Sequence, residues 1–167
     1  MSGPVRSGGA GGGAAAGGEV GATCVLLLSG PNLGLLGGRQ PEIYGTTTLD
    51  DHVETARAEA ARYGLTVEHV QSNHEGDLVE AAHRARGRAA AIVVNAGALT
   101  HYGWSLHDAL AAFDGPVVEL HLSNPGGREP WRSTSVVTPV ATGVIAGFGG
   151  AGYRLAIQAV AGLLGHG

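Results

Sequence analysis

Lysine is missing altogether, since all ten basic residues of the 167-residue chain are arginines. Without a side-chain primary amine there can be no Schiff-base lysine, no pyridoxal phosphate attachment and no P-loop lysine. Carbonyl chemistry in this chain therefore has to run through acid–base and enolate routes. Cysteine is almost missing too. Cys24 stands alone, which rules out an internal disulfide, and its place at the head of an apolar strand predicts a buried packing role. No apolar run approaches the roughly 18 residues of a membrane span, and the opening M-S-G-P-V-R-S-G-G lacks the charged-then-apolar plan of a signal peptide. The expectation is a cytoplasmic protein with no membrane contact. A net charge of −4 and the lack of a basic run argue against nucleic acid as a partner, and a small molecule is the expected one.

The remaining composition suits one domain, because 44% hydrophobic residues can fill a sizeable core. Residues 1–22 are mostly Gly, Ala and Ser, too small to offset the entropy of ordering, and they read as a disordered tail before a single domain over 23–167. From there strands and helices alternate. Strands are expected at 24–28, 65–70, 90–94, 117–122 and 144–146. Helices are expected from Thr48, with Thr48 and Asp51 forming a capping-box variant, to a stop at Gly64, then through Leu78–Val79–Ala82–Ala85, at 106–112 and at 153–164. Such a rhythm implies a parallel sheet covered on both faces, joined by right-handed crossovers. For five strands the expected fold is the flavodoxin-like α/β three-layer sandwich of strand order 2-1-3-4-5, which binds ligands at the carboxyl ends of strands 1 and 3.

Unusual polar residues fall at those ends. The segment G-P-N-L-G-L-L-G-G-R-Q-P-E-I-Y-G after strand 1 carries Asn32, Arg39 and Tyr44 on a long loop. A guanidinium five residues before a phenol can stabilise the phenolate, bringing its pKa down from about 10 toward neutrality and making Tyr44 a general base. After strand 3 come Asn95, Thr100 and His101. In P-V-V-E-L-H-L-S-N the alternation puts Val118, Leu120 and Leu122 on one face and Glu119, His121 and Ser123 on the other. A carboxylate two residues before a histidine can orient the imidazole and favour its charged form, which makes His121 a candidate proton donor. The bland alternative is an edge strand with one wet face.

These motifs, together with Q-S-N-H-E-G, N-A-G-A-L-T-H, R-E-P-W-R and P-V-A-T-G-V-I-A-G-F-G followed by G-Y-R-L-A, are colinear over residues 25–157. The chain resembles the type II 3-dehydroquinate dehydratases. The resemblance implies a cofactor-free and metal-free lyase that dehydrates 3-dehydroquinate to 3-dehydroshikimate by anti elimination through an enolate, a reaction shared by aromatic amino-acid biosynthesis and quinate breakdown. It implies a homo-oligomer, a dodecamer built from trimers. It assigns Tyr44 as base with Arg39 beside it, Asn32 as holder of a water at the enolate oxygen, and His121 oriented by Glu119 as acid. The substrate carboxylate would meet the Leu122 and Ser123 amides and Asn95, the ring hydroxyls His101 and Arg132, and Asp108 would reach a neighbouring subunit's site.

Four places depart from the family pattern: Gly34, Tyr102-Gly103-Trp104, Pro125-Gly126-Gly127 and Ser133-Thr134. The bulk of Trp104 would either narrow the pocket beside His101 or fill a subunit boundary. Three other classes are weaker. Gly147-Phe148-Gly149-Gly150-Ala151-Gly152 satisfies a dinucleotide fingerprint, but the required downstream strand and acidic residue have no room, so those glycines read as close strand–helix packing. A metal-assisted lyase lacks any comparable ligand spacing among the eight histidines. A noncatalytic binding module would not need the full set of chemical residues.

Overall fold

The computed structural model describes residues 23–38 and 46–166. The chain alternates through β1 (Cys24–Ser29), α1 (Leu49–Ala61), β2 (Thr66–Gln71), α2 (Glu75–Ala85), β3 (Ala89–Asn95), α3 (Trp104–Ala111), β4 (Val117–His121), β5 (Gly143–Ala146) and α4 (Ala151–Leu163). All strand pairs are parallel and the order is β2-β1-β3-β4-β5, the flavodoxin-like arrangement. Helices α1 and α4 cover one face of the sheet, and α2 and α3 cover the other.

The pattern of side chains explains the layering. In β1, Val25 and Leu27 point to the α1/α4 side while Leu26 and Leu28 point to the α2/α3 side, all of them buried. A central strand apolar on both faces is what a parallel sheet between two helical layers demands. Burying one such leucine or isoleucine, Ile157 of α4 among them, contributes roughly 2 kcal/mol. Thr48 caps α1 as its sequence suggested, its hydroxyl accepting from the Asp51 N–H while the Asp51 carboxylate accepts from the Thr48 N–H. At the head of α4, a Cβ on Gly152 would come within 2.9 Å of Leu120, so the glycine lets helix and strand approach closely.

Element ends differ from the sequence expectation by one or two residues, most visibly in α3. Its helix starts at Trp104 because the Glu75 carboxylate accepts from the Leu106 N–H at 3.0 Å and supplies a cap from another helix, a contact 31 residues away in sequence. The expected loop before it contains a short 3-10 turn over Gly97–His101. Cys24 is only partly buried, since it opens the strand at the rim of the sheet. Among the described residues no helix is long and apolar enough to cross a membrane.

Candidate active site

Strand β4 is interior, flanked by β3 and β5, so it is not an edge strand with one wet face. Glu119 is completely buried, which a carboxylate tolerates only with partners. It has three. His121 Nε2 lies 2.8 Å from Oε1, the Ser135 hydroxyl donates to Oε1 at 2.9 Å, and the Thr138 hydroxyl donates to Oε2 at 2.5 Å. Burial alone would raise the Glu119 pKa, but the hydrogen bonds from His121 and Thr138, the His121 charge and the Ser135 bond together outweigh it and hold the carboxyl below its ordinary value. A carboxylate only accepts, so the His121 proton facing it sits on Nε2 and Nδ1 is left for other chemistry.

The segment that brings Ser135 and Thr138 is itself tied down. Thr134 carbonyl accepts from His101 Nδ1 at 2.6 Å, Val136 N–H donates to the Thr100 carbonyl at 2.7 Å, and the Val136 carbonyl accepts from His107 Nδ1 at 2.6 Å. Ser135 Oγ also accepts from the Val137 and Thr138 amides, which fixes its hydroxyl on Glu119.

Around this pair lies an open cleft at the carboxyl end of the sheet. Asn32, Asn95, His101, His121, Leu122, Ser123 and Arg132 all line it, so seven residues singled out in the sequence, from the segments that follow β1, β3 and β4, converge. Glu119 stands behind His121. Asp108 does not line the cleft; it is exposed on α3. Arg39 and Tyr44 lie outside the described residues.

Several geometries shape the lining. Asn32 has a left-handed backbone, φ 67°, which asparagine accommodates better than most residues, and its N–H donates to Asn73 Oδ1 at 2.9 Å. Arg132 donates to Glu129 at 2.6 Å with its guanidinium 4.1 Å over the Trp131 ring, and Trp131 meets His101 edge-on at 5.0 Å. His101 keeps Nε2 available because Nδ1 is spent on the Thr134 carbonyl.

Sequence reasoning gave no role to Arg128, which lines the cleft and donates to the Ser123 hydroxyl at 3.3 Å, nor to Asn73, Ser135 and Thr138. The S-x-x-T spacing of Ser135 and Thr138 before Pro139 was the available signal, a serine poised to cap a short helical turn. Trp104 does not narrow the pocket; it is 64% exposed and rests on the His107 ring. Pro125-Gly126-Gly127 forms a short turn capped by Asn124, with Pro125 in the cleft wall. Among the described residues no three His, Cys, Asp or Glu side chains are grouped to hold a metal ion.

Residues 23–161 match the family model described as dehydroquinase class II. A protein named 3-dehydroquinate dehydratase 1, from Corynebacterium efficiens, is 56% identical over 137 residues, spanning 82% of this chain and 91% of its own length. A protein of Aspergillus clavatus named catabolic 3-dehydroquinase is 49% identical over 82% of this chain and 91% of its own length. The crystal structure of type II dehydroquinase from Propionibacterium acnes superposes with a TM-score of 0.80 at 41% identity, covering 84% of this chain and 97% of that one. With the family's pattern running across the whole sheet and the cleft at its carboxyl end, the chain belongs to the class II dehydroquinase family.

Proposed function

We propose that this chain dehydrates 3-dehydroquinate to 3-dehydroshikimate, reversibly, by anti elimination through an enolate and without cofactor or metal. The observation that carries the reading is the Glu119–His121 pair, a buried carboxylate holding an imidazole at the wall of a polar cleft. Family membership supplies the substrate.

The reaction needs three services. A proton beside a ketone must be removed, and Tyr44 with Arg39 is assigned to this as phenolate base. Charge developing on the enolate oxygen must be stabilised, a service often worth about 3 to 4 kcal/mol per well-placed donor, and Asn32 with a bound water is assigned to it. Hydroxide must leave as water, so a donor is needed on the opposite side. His121 fits, since its Nε2–H donates a hydrogen bond to Glu119, which leaves Nδ1 to carry the transferable proton. Asn95 with the Leu122 and Ser123 amides would take the carboxylate, while His101 and Arg132 would take ring hydroxyls. The exposure of Asp108 on α3 suits a residue that serves a neighbouring subunit in a dodecamer of trimers. A cytoplasmic setting fits the reading.

The test is to mix the purified chain with 3-dehydroquinate in excess chelator and follow the ultraviolet band of the conjugated enone. The band should rise at enzymatic rates. A folded, oligomeric sample that produces none would overturn the proposal.

A further inference from the structure

On the α1/α4 side of the sheet the strands carry an apolar field made by Val25, Leu27, Ala91, Val93, Val118 and Leu120. Toward the carboxyl ends this field stops at a polar row. Residues two apart on a strand share a face, so His69 of β2 follows Val67, Ser29 of β1 follows Leu27, and Asn95 of β3 follows Val93, all on the same side. Ser29 and Asn95 are register partners, and His69 Nε2 lies 3.0 Å from Ser29 Oγ. Ser29 and Asn95 are both buried, and Asn95 forms part of the cleft.

Tyr153 of α4 lies against this row. Its ring is 1% exposed and stacks on His52 with centroids 4.9 Å apart and planes 5° from parallel. Among the described residues its buried hydroxyl has no partner at hydrogen-bonding geometry, although the Asn95 and Ser29 side chains adjoin it. A buried tyrosine hydroxyl normally has a partner, so an idle one beside a substrate-binding asparagine calls for a reason. Burial pushes the phenol up to about 12, more than Asn95 and Ser29 bring it down, so it stays a neutral O–H, able to donate once and accept but not to act as a base.

The neighbours set the direction of any chain through it. Gly97 N–H donates to Asn95 Oδ1 at 3.3 Å, which assigns the oxygen to that side and leaves the two Nδ2 protons to be placed. Burial and the Arg57 charge favour neutral His69 against a weaker pull from Asp50, and a neutral ring can accept the Ser29 hydroxyl at Nε2. Ser29 Oγ is then free to accept from Tyr153, and the Tyr153 oxygen to accept from Asn95 Nδ2. That arrangement leaves the second Nδ2 proton for the cleft that Asn95 lines.

We infer that Tyr153 is a positioning residue of this reaction: its hydroxyl bridges Ser29 and Asn95 and thereby fixes the Asn95 carboxamide with an N–H toward an anionic group of the substrate. The inference rests on the dehydratase reading above, in which Asn95 meets the carboxylate. The bridge belongs to the substrate-bound state, since in the free chain the hydroxyl only adjoins the two side chains.

Tyr153→Phe removes only the hydroxyl from a ring whose packing and stacking persist. The KM for 3-dehydroquinate should rise about tenfold, the value of one hydrogen bond to a charged group, while kcat changes by less than about twofold. In an Asn95→Ala background the same substitution should leave KM within about twofold, because the group it positions is gone. Ser29→Ala should raise KM in the same direction by less, and it carries the test if Tyr153→Phe does not fold. An unchanged KM in Tyr153→Phe, or equal KM effects with and without Asn95, overturns the inference. A wild-type chain that is inactive on 3-dehydroquinate overturns instead the reading on which it rests.

Discussion

Two buried polar groups, one on each side of the same sheet, are handled in opposite ways. On the α2/α3 side Glu119 has both carboxylate oxygens engaged, by His121, Ser135 and Thr138, and the strap that carries the last two is bonded to His101, Thr100 and His107. On the α1/α4 side the Tyr153 hydroxyl and His52 Nε2 have no hydrogen-bond partner among the described residues, though both rings are buried and stacked on each other. The first arrangement is complete in the chain alone, as a group that must hold an imidazole in one tautomer requires. The second is left open behind Asn95, which lines the cleft. On the proposed reading, the chain holds His121 fixed in advance and leaves the floor beneath Asn95 adjustable.

The comparison breaks most severely at Glu119. Glu119→Ala should leave two hydroxyls and an imidazole without their acceptor, costing about 3 to 5 kcal/mol in a denaturant melt and lowering turnover by about 100-fold or more. A loss below about 1 kcal/mol would mean the strap is held by its backbone bonds alone.

On the other face the tightest contact is between Gly150 and His52, where an added Cβ would come within 2.4 Å of the ring. Gly150→Ala should cost about 1 to 3 kcal/mol by displacing the stack, and much less when His52 is already alanine. Additive costs in the double variant would show that the stack is not what the glycine protects.

Acid should separate the two faces further. Burial holds the His52 pKa below the ordinary histidine value of about 6.5, with only a small opposing pull from Asp51. The unfolded chain therefore takes up this proton first as pH falls through about 6.5, so stability is full above that pH and declines below it toward the folded value. His69 acts in the same direction, whereas Glu119, held low, gives up its contribution only as pH falls below the ordinary carboxyl range. His52→Leu should flatten the decline between pH 6.5 and 5 in thermal melts, and an unchanged slope would assign it elsewhere. The smallest effect belongs to Thr48→Ala, which removes the α1 cap and should cost about 1 kcal/mol without touching either polar row.

Much of this was legible beforehand because the signals are local. The strand–helix rhythm, the Thr48–Asp51 box and the alternation that pairs Glu119 with His121 depend on residues close in sequence, and the strand order followed from the usual arrangement of five such strands. What stayed hidden is long-range. Glu75 capping α3, Ser135 and Thr138 reaching back to β4, and Asn73 holding Asn32 join segments that no periodicity relates. The buried face of β4 was legible as needing something polar, but the identity of its partners was not. Nor was the stacking of His52 on Tyr153, because a histidine at a helical position reads the same whether it faces water or a ring.

The most direct test of the central claim is the turnover of 3-dehydroquinate by His121→Ala, measured beside its thermal unfolding. The account predicts a loss of about 100-fold or more with the melting transition nearly unmoved, because His121 sits at the cleft wall and Glu119 keeps its two hydroxyl partners. Near-normal turnover in a folded His121→Ala chain would contradict it.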